Sequence, residues 1–205
     1  MLAGVAILSL AGCSTEDWSD SIGQTINDSI TLPETYSITY EVESAIGEIH
    51  TVAKLRDADG NIYFRSGNEE MLFVADGSNY VLYERTSDGS FVASDSDAVY
   101  NETYVDSVTE EFLQYVEKSK DQFIPGMEES SSQEMLGRTC LAYSVKVGTD
   151  STAVTYTLLV DEETGICLSW EENKQIAWHD LPADSDTFHC VEFIITDVPN
   201  LLDQI

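Results

Sequence analysis

The sequence predicts a mainly β protein of the α+β class, built from about 10 to 11 antiparallel strands with one helical interruption near the middle. Three observations carry this. Apolar and polar residues alternate with period two over most of the chain from residue 35 onward. Asp-Gly and related turns separate the alternating runs. A helical period with good support appears once.

The first strand is the clearest. Tyr36, Ile38, Tyr40 and Val42 alternate with Ser37, Thr39, Glu41 and Glu43, as a half-buried strand with one wet face requires. Five further strands are predicted over Glu48 to Arg56, Asn61 to Arg65, Glu70 to Val74, Asn79 to Glu84 and Ser90 to Ala93. Asp57-Ala58-Asp59-Gly60, Ser66-Gly67-Asn68, Asp76-Gly77-Ser78 and Ser87-Asp88-Gly89 lie between them. Such turns favour hairpins, because glycine takes the positive φ that a primed turn demands. Successive hairpins make a meander.

A helix is expected from about Tyr104 to Gln122. Ser107-Val108-Thr109-Glu110 fits a capping box, and Val108, Phe112, Tyr115, Val116 and Phe123 form an apolar stripe with Ser119 on the same face. Pro125-Gly126 ends it. Met127 to Gly137, rich in Glu and Ser, reads as an exposed loop. Five more strands follow over Thr139 to Val147, Thr152 to Val160, Ile166 to Trp170, Gln175 to Trp178 and Thr187 to Thr196, with a hairpin turn at Asp161 to Gly165.

The N-terminus carries a second kind of signal. An apolar run, Leu2 to Leu10, ends in Leu10-Ala11-Gly12-Cys13 followed by Ser14. This resembles a bacterial lipobox, in which the small residues admit the signal peptidase and the cysteine thiol receives a diacylglyceryl group. The run is too short to span a bilayer. It departs from a signal peptide in having no Lys or Arg before Cys13. On this reading Cys13 anchors the protein at the extracytoplasmic face of the cell membrane. Each acyl chain contributes about 0.8 kcal/mol per buried methylene, and two chains hold where one does not. The acidic stretch Ser14 to Ser21 then serves as a solvated spacer. A short helix over Ser19 to Ser29, with Ile22, Ile26 and Ile30 at spacing four, precedes Pro33.

Composition agrees with an exported acidic protein. Asp plus Glu number 38 against 9 Lys plus Arg, for a net charge of -29, and 42% of residues are hydrophobic. That field repels phosphate backbones, which argues against nucleic acid as a partner. The hydrophobic content is enough for a folded core.

The stretch Glu70 to Glu84, an apolar strand, an Asp-Gly turn and an aromatic strand, is similar to the core of lipoprotein-localisation carriers of the LolA/LolB type. Gly137 to Tyr143, followed by Leu158 to Gly165, looks like a strand pair of related surface lipoproteins. The resemblance covers roughly residues 35 to 196. It implies a strongly curved antiparallel sheet, an incomplete barrel covered by one or two helices. It also implies a lipid, acyl chain or lipidated peptide held on an apolar concave face. The domains are then a signal peptide over residues 1–12, a lipidated tether over 13–32 and a half-barrel over 33–205.

Tyr40, Phe73, Leu82, Tyr156 and Leu158 alternate as the lining of such a face should, with Phe112 and Tyr115 on the covering helix. The same residues suit a dry core equally well. Two functions of different class follow. One is a membrane-tethered carrier of a lipid or lipidated peptide. The other is an interaction scaffold without a ligand cavity, whose exposed segments, such as Glu128 to Glu134, meet another cell-envelope protein. An open apolar hollow under the helix favours the first, and side chains filling it favour the second.

Signals for catalysis are sparse. His50, His179 and His189 show no metal-ligand spacing, and no nucleophile elbow, phosphate loop or dinucleotide fingerprint is present. No cofactor or metal is called for, and the sequence argues against an enzyme. Asp57-Ala58-Asp59-Gly60-Asn61 has the start of a calcium loop, but the glycine comes too early and no closing Glu follows, so it reads as a hairpin turn. Three cysteines remain beyond Cys13. Cys140 and Cys167 would flank the strand between them at two strand spacings, too far for a bridge. Cys167 with Cys190 is the better pair if their strands are neighbours. Three buried thiols without a bond is the other reading.

Replacing Cys13 by Ser removes the acyl acceptor. The variant is expected to leave the membrane fraction for the soluble one; sedimentation with membranes after a high-salt wash would defeat the lipobox assignment.

Overall fold

The computed structural model describes residues 30, 32–94, 98–117, 128–149, 152–176 and 186–204. The lipobox, the tether helix, Ser119, Phe123, Pro125-Gly126, Trp178 and His179 lie outside the described residues. Six strands come first: β1 (Tyr36–Glu43), β2 (Ile49–Arg56), β3 (Ile62–Ser66), β4 (Glu69–Asp76), β5 (Asn79–Arg85) and β6 (Phe91–Ala93). Two short helices follow, α1 (Glu102–Val108) and α2 (Glu110–Val116). The chain then forms β7 (Glu128–Met135), β8 (Arg138–Val147), β9 (Thr152–Asp161), β10 (Cys167–Ile176) and β11 (Thr187–Ile194), and a 3-10 turn over Leu201–Gln204.

All strands belong to one antiparallel sheet of 11 strands, in the order β6-β5-β4-β3-β2-β1-β11-β10-β9-β8-β7. The two meanders predicted from the sequence are therefore joined side by side through β1 and β11. The sheet is not closed: β6 and β7 remain its edges.

Each hairpin keeps the inward phase of its neighbour. Tyr36 lies opposite Arg56, Ile38 opposite Lys54 and Tyr40 opposite Val52. Further out, Ile62 pairs with Phe73 and Phe73 with Leu82. This face carries the core. One cluster gathers β1, β2, β9, β10 and β11 around α2; a smaller one gathers Ile62, Phe73, Tyr80 and Leu82 beneath Val105 of α1.

Three register shifts interrupt the sheet, one where β11 meets Thr39 and Tyr40, one in β10 between Cys167 and Ser169 and one in β7 between Glu129 and Ser131. An extra residue on one strand breaks alternation and increases local twist. Ile166, Cys167 and Leu168 are consecutive and all buried, which no regular strand with a wet face permits.

The helical segment differs from expectation. A single helix with a cap at Ser107 is not formed. Instead Asn101 caps α1, its Oδ1 accepting from the Tyr104 N–H at 2.9 Å, and the helix breaks at Thr109. Ser107 donates its hydroxyl back to the Tyr104 carbonyl at 2.7 Å and so caps nothing. The stretch Glu128 to Glu134, expected as a loop, is most of β7. Its Glu and Ser side chains suit an edge strand, where backbone pairing with β8 suffices and apolar side chains would invite aggregation. Where two strands were expected, over Ile166 to Trp170 and from Gln175 onward, one strand, β10, runs from Cys167 to Ile176, and its polar middle pairs continuously with β9.

The β9–β10 turn is fixed by a buried carboxylate. Asp161, 1% exposed, accepts from Arg138 Nε at 2.7 Å and Nη2 at 3.0 Å, and from the Thr164 N–H at 2.9 Å and hydroxyl at 2.6 Å. Burial alone would raise its pKa, but these hydrogen bonds and the guanidinium charge outweigh burial and hold it below the usual carboxylate range. The folded state thus favours the ionised form. Asp161→Ala, which leaves Arg138 on Glu163 and the Phe193 ring and orphans the buried Thr164 donors, is expected to cost about 1 to 3 kcal/mol in urea unfolding at neutral pH. The gap from wild type should be full above the ordinary carboxylate pKa. It should close as pH falls through the lower native one; a gap independent of pH would refute the assignment.

Candidate functional site

Inward alternation on β1 places Tyr40 at the centre of the helix-covered face, where α2 brings Phe112 and Tyr115 down on it. Ring centroids of Tyr40 lie 5.9 Å from Phe112, 5.9 Å from Tyr115 and 5.4 Å from Phe188, the last edge to face. Tyr36 stacks on Phe112 at 6.2 Å. Such pairs add about 0.5 to 1.5 kcal/mol each beyond the area they bury. The Tyr40 hydroxyl donates to the Cys167 carbonyl at 2.7 Å, and complete burial pushes its pKa well above the ordinary tyrosine value.

The residues named as candidate lining do not form one chamber. Tyr40, Phe112, Tyr115 and Leu158 meet in the larger cluster, whereas Phe73 and Leu82 belong to the smaller one. All six are buried. Tyr156 is half-buried at the margin of the larger cluster, its ring 5.8 Å from Trp170. Trp170, Phe188 and Tyr36 complete the packing. Their signal in the sequence is the inward phase of their strands.

Polar groups pin the helices to the sheet. Lys54, on the inward phase of β2, donates to Thr109 Oγ1 at 2.9 Å, and Thr109 donates in turn to the Val105 carbonyl at 2.9 Å. Asp106 lies 3.8 Å from the ammonium. Burial lowers the Lys54 pKa, and Asp106 partly opposes this. Lower on the same face, Glu111 of α2 accepts from the Ser66 hydroxyl at 2.6 Å and lies 3.1 Å from His50 Nε2. The serine and histidine both address the carboxylate rather than each other, so they do not form a nucleophile and base. A hollow of about 580 Å³ opens beside Tyr36, with Lys54, Arg56, Asp57, Glu102 and Asp106 among its walls. Arg56 is paired there with Glu102 at 3.4 Å.

The Asp57 turn is structural. Its carboxylate accepts from the N–H groups of Asp59, Asn61 and Leu201 and from the Asn61 side chain, leaving it committed to its own loop and to the C-terminal turn. His189 lies 3.5 Å from Glu41 on the surface. Among the described residues no three His, Cys, Asp or Glu side chains are placed to hold a metal ion. No described helix is long and apolar enough to cross a membrane.

The opposite face holds a feature the sequence reading missed. Leu55 pairs with Tyr63, Tyr63 with Leu72, Leu72 with Tyr83 and Tyr83 with Ala93, one row across β2 to β6 on the side away from the helices. With Phe91 and Leu201 as walls, this row floors a trough of about 510 Å³. At one end Glu70, 14% exposed, accepts from the Tyr63 hydroxyl at 2.7 Å and from Arg85 Nη1 at 2.7 Å. Burial raises the Glu70 pKa, but these donors and the arginine charge outweigh it, and the net shift is downward. The signal was available: both phases of β2 to β5 carry large apolar residues, where a one-sided sheet would carry them on one.

Comparison with protein-family models and with the sequences of curated proteins finds no match. Fold and surface define an open, half-barrel-like β protein with a packed, helix-covered inner face and an apolar trough outside.

Cys140, Cys167 and Cys190 are buried and not joined in a disulfide, so the bridge considered between Cys167 and Cys190 is not formed. The Cys190 thiol bonds instead to the Glu192 carbonyl at 3.1 Å, and burial pushes its pKa up to about 12. Ellman's reagent should therefore find none of the three reactive in the native protein and all three in denaturant without reductant. A shortfall of two in denaturant would mean a disulfide.

Proposed function

We propose that this protein is a lipid-anchored, extracytoplasmic and non-catalytic binding module of the cell envelope, attached through Cys13, whose helix-covered face is structural core and whose outer surface meets its partners. The observation that carries this reading is the interlocked packing of Tyr36, Tyr40, Phe112, Tyr115 and Phe188 where a ligand chamber would lie. Interiors packed in this way leave no room for a chain of methylenes. The lipobox supports the attachment, and the paired states of His50, Glu111, Asp57 and Asp161 support a role without acid–base chemistry.

The family resemblance implies the other outcome, a carrier in which α2 acts as a lid. One variant separates them. Phe112, fully buried, is a plug in the first reading. Phe112→Ala should then destabilise the domain by about 3 to 5 kcal/mol. Neither it nor wild type should bind a pyrene-labelled diacyl phospholipid or co-purify with a diacyl lipid in native mass spectrometry. Uptake of the phospholipid that rises in the variant would establish the carrier and overturn the plug.

A further inference from the structure

We propose that the trough on the outer face of β2 to β6 binds a small amphiphilic monocarboxylate, its hydrocarbon body on the row Leu55, Tyr63, Leu72 and Tyr83 and its carboxylate on the guanidinium of Arg85. The site stands on its own geometry and does not depend on membrane attachment.

Shape is the first argument. Antiparallel sheets with one packed face ordinarily present polar residues on the other. Here four apolar or aromatic side chains lie in register across four strands, and Phe91 and Leu201 raise walls beside them. Leu201 is held in place by the hydrogen bond from its N–H to Asp57 at 2.9 Å. A volume of about 510 Å³ falls in the range of small-molecule sites.

Preorganisation is the second. Arg85 Nη1 donates to both oxygens of Glu70 at 2.7 Å, and Nε donates to the Gly89 carbonyl at 3.3 Å. Among the described residues nothing accepts from Nη2. Glu70 is fixed from its other side by Tyr63, so it is a positioning residue for the arginine. Gly89 leaves the approach open: a Cβ there would stand 3.8 Å from Nη2, and its φ of +90° disfavours any side chain.

Charge selects the head group. In a chain with 38 acidic and 9 basic residues, Arg65 and Arg85 both flank Glu70. Asp88, in the adjoining turn, directs its Oδ1 to the Thr86 and Ser90 hydroxyls and the Ser90 N–H. The two arginines balance Glu70 and Asp88 here, so a head group of one negative charge is selected by the Nη2 donor of Arg85 and not by surplus positive charge. A polyanion would meet the repulsive field of the rest of the surface.

Isothermal titration with dodecanoate, below its micellar concentration, against dodecanol tests this. Wild type should bind dodecanoate saturably and more tightly than dodecanol. Arg85→Gln should weaken dodecanoate about tenfold, the value of a charge-assisted contact, and abolish the preference over dodecanol. Phe91→Ser should weaken both ligands. Arg85 is 45% exposed but partners the largely buried Glu70, so Arg85→Gln should lower the unfolding midpoint modestly while leaving the domain folded and dodecanol binding intact. Absence of saturable dodecanoate binding overturns the proposal, as does binding that both substitutions leave unchanged. Binding lost in Phe112→Ala but kept in Arg85→Gln would overturn it in favour of the inner face. Membrane release by Cys13→Ser is read separately, so failure of the trough and failure of the anchor are distinguishable.

Discussion

The pairing of β1 with β11 joins strands from opposite ends of the folded region, with Ser37 and Glu192 in contact across 155 residues. Without that seam the two meanders would each end in a further exposed edge. β1 pairs on both sides, and its inward residues Tyr36, Ile38, Tyr40 and Val42 are all buried. The shift in register at Thr39 and Tyr40 leaves Val191 outside the pairing and 45% exposed, while Cys190 and Phe188 stay inside. Tyr40 then spans to β10 through the Cys167 carbonyl. So long a loop closure must be offset by the contacts it allows, which makes such a seam slow to form and late to reward.

Patterns confined to one strand were legible in the sequence. Tyr36 to Val42 and the turn at Asp76-Gly77 needed only period two and a positive φ, and Gly77 has φ +64° in the turn between β4 and β5. Features set by a distant partner were not. The break between α1 and α2 occurs where Lys54 meets the Thr109 hydroxyl, a contact between residues 55 apart. β7 was invisible because an edge strand of Glu and Ser carries no apolar period. Cys167 and Leu168 were legible as strand, but the three consecutive buried side chains from Ile166 to Leu168 come from the bulge, which alternation does not describe. Alternation put the candidate lining on one face, but whether those residues meet depends on partners from other strands, and they fall in two clusters.

The helices illustrate the same dependence. Each has seven residues, too few for stability in isolation. Their place comes from Val105, Phe112, Tyr115 and Val116 packing on the sheet, and from three polar pins, Lys54, Ser66 and His50, on β2 and β3. A covering element that moved would have to expose Phe112 and leave the buried Lys54 without its hydroxyl partner. Both costs fall in the range of several kcal/mol. The inner face is thus coherent as a core.

The topology gives the outer face a direction. The described chain enters through Leu32 and Pro33 beside Asp57 and Gly60, at the end of the sheet where Leu201 also sits. β5 runs away from that end, from Asn79 to Arg85, so Leu201 and Arg85 stand toward opposite ends of the strands while the row Leu55, Tyr63, Leu72 and Tyr83 crosses between them. In a chain of net charge -29, an anion repelled by the rest of the surface finds the guanidinium donors of Arg65 and Arg85 at that end, beside Glu70 and Asp88.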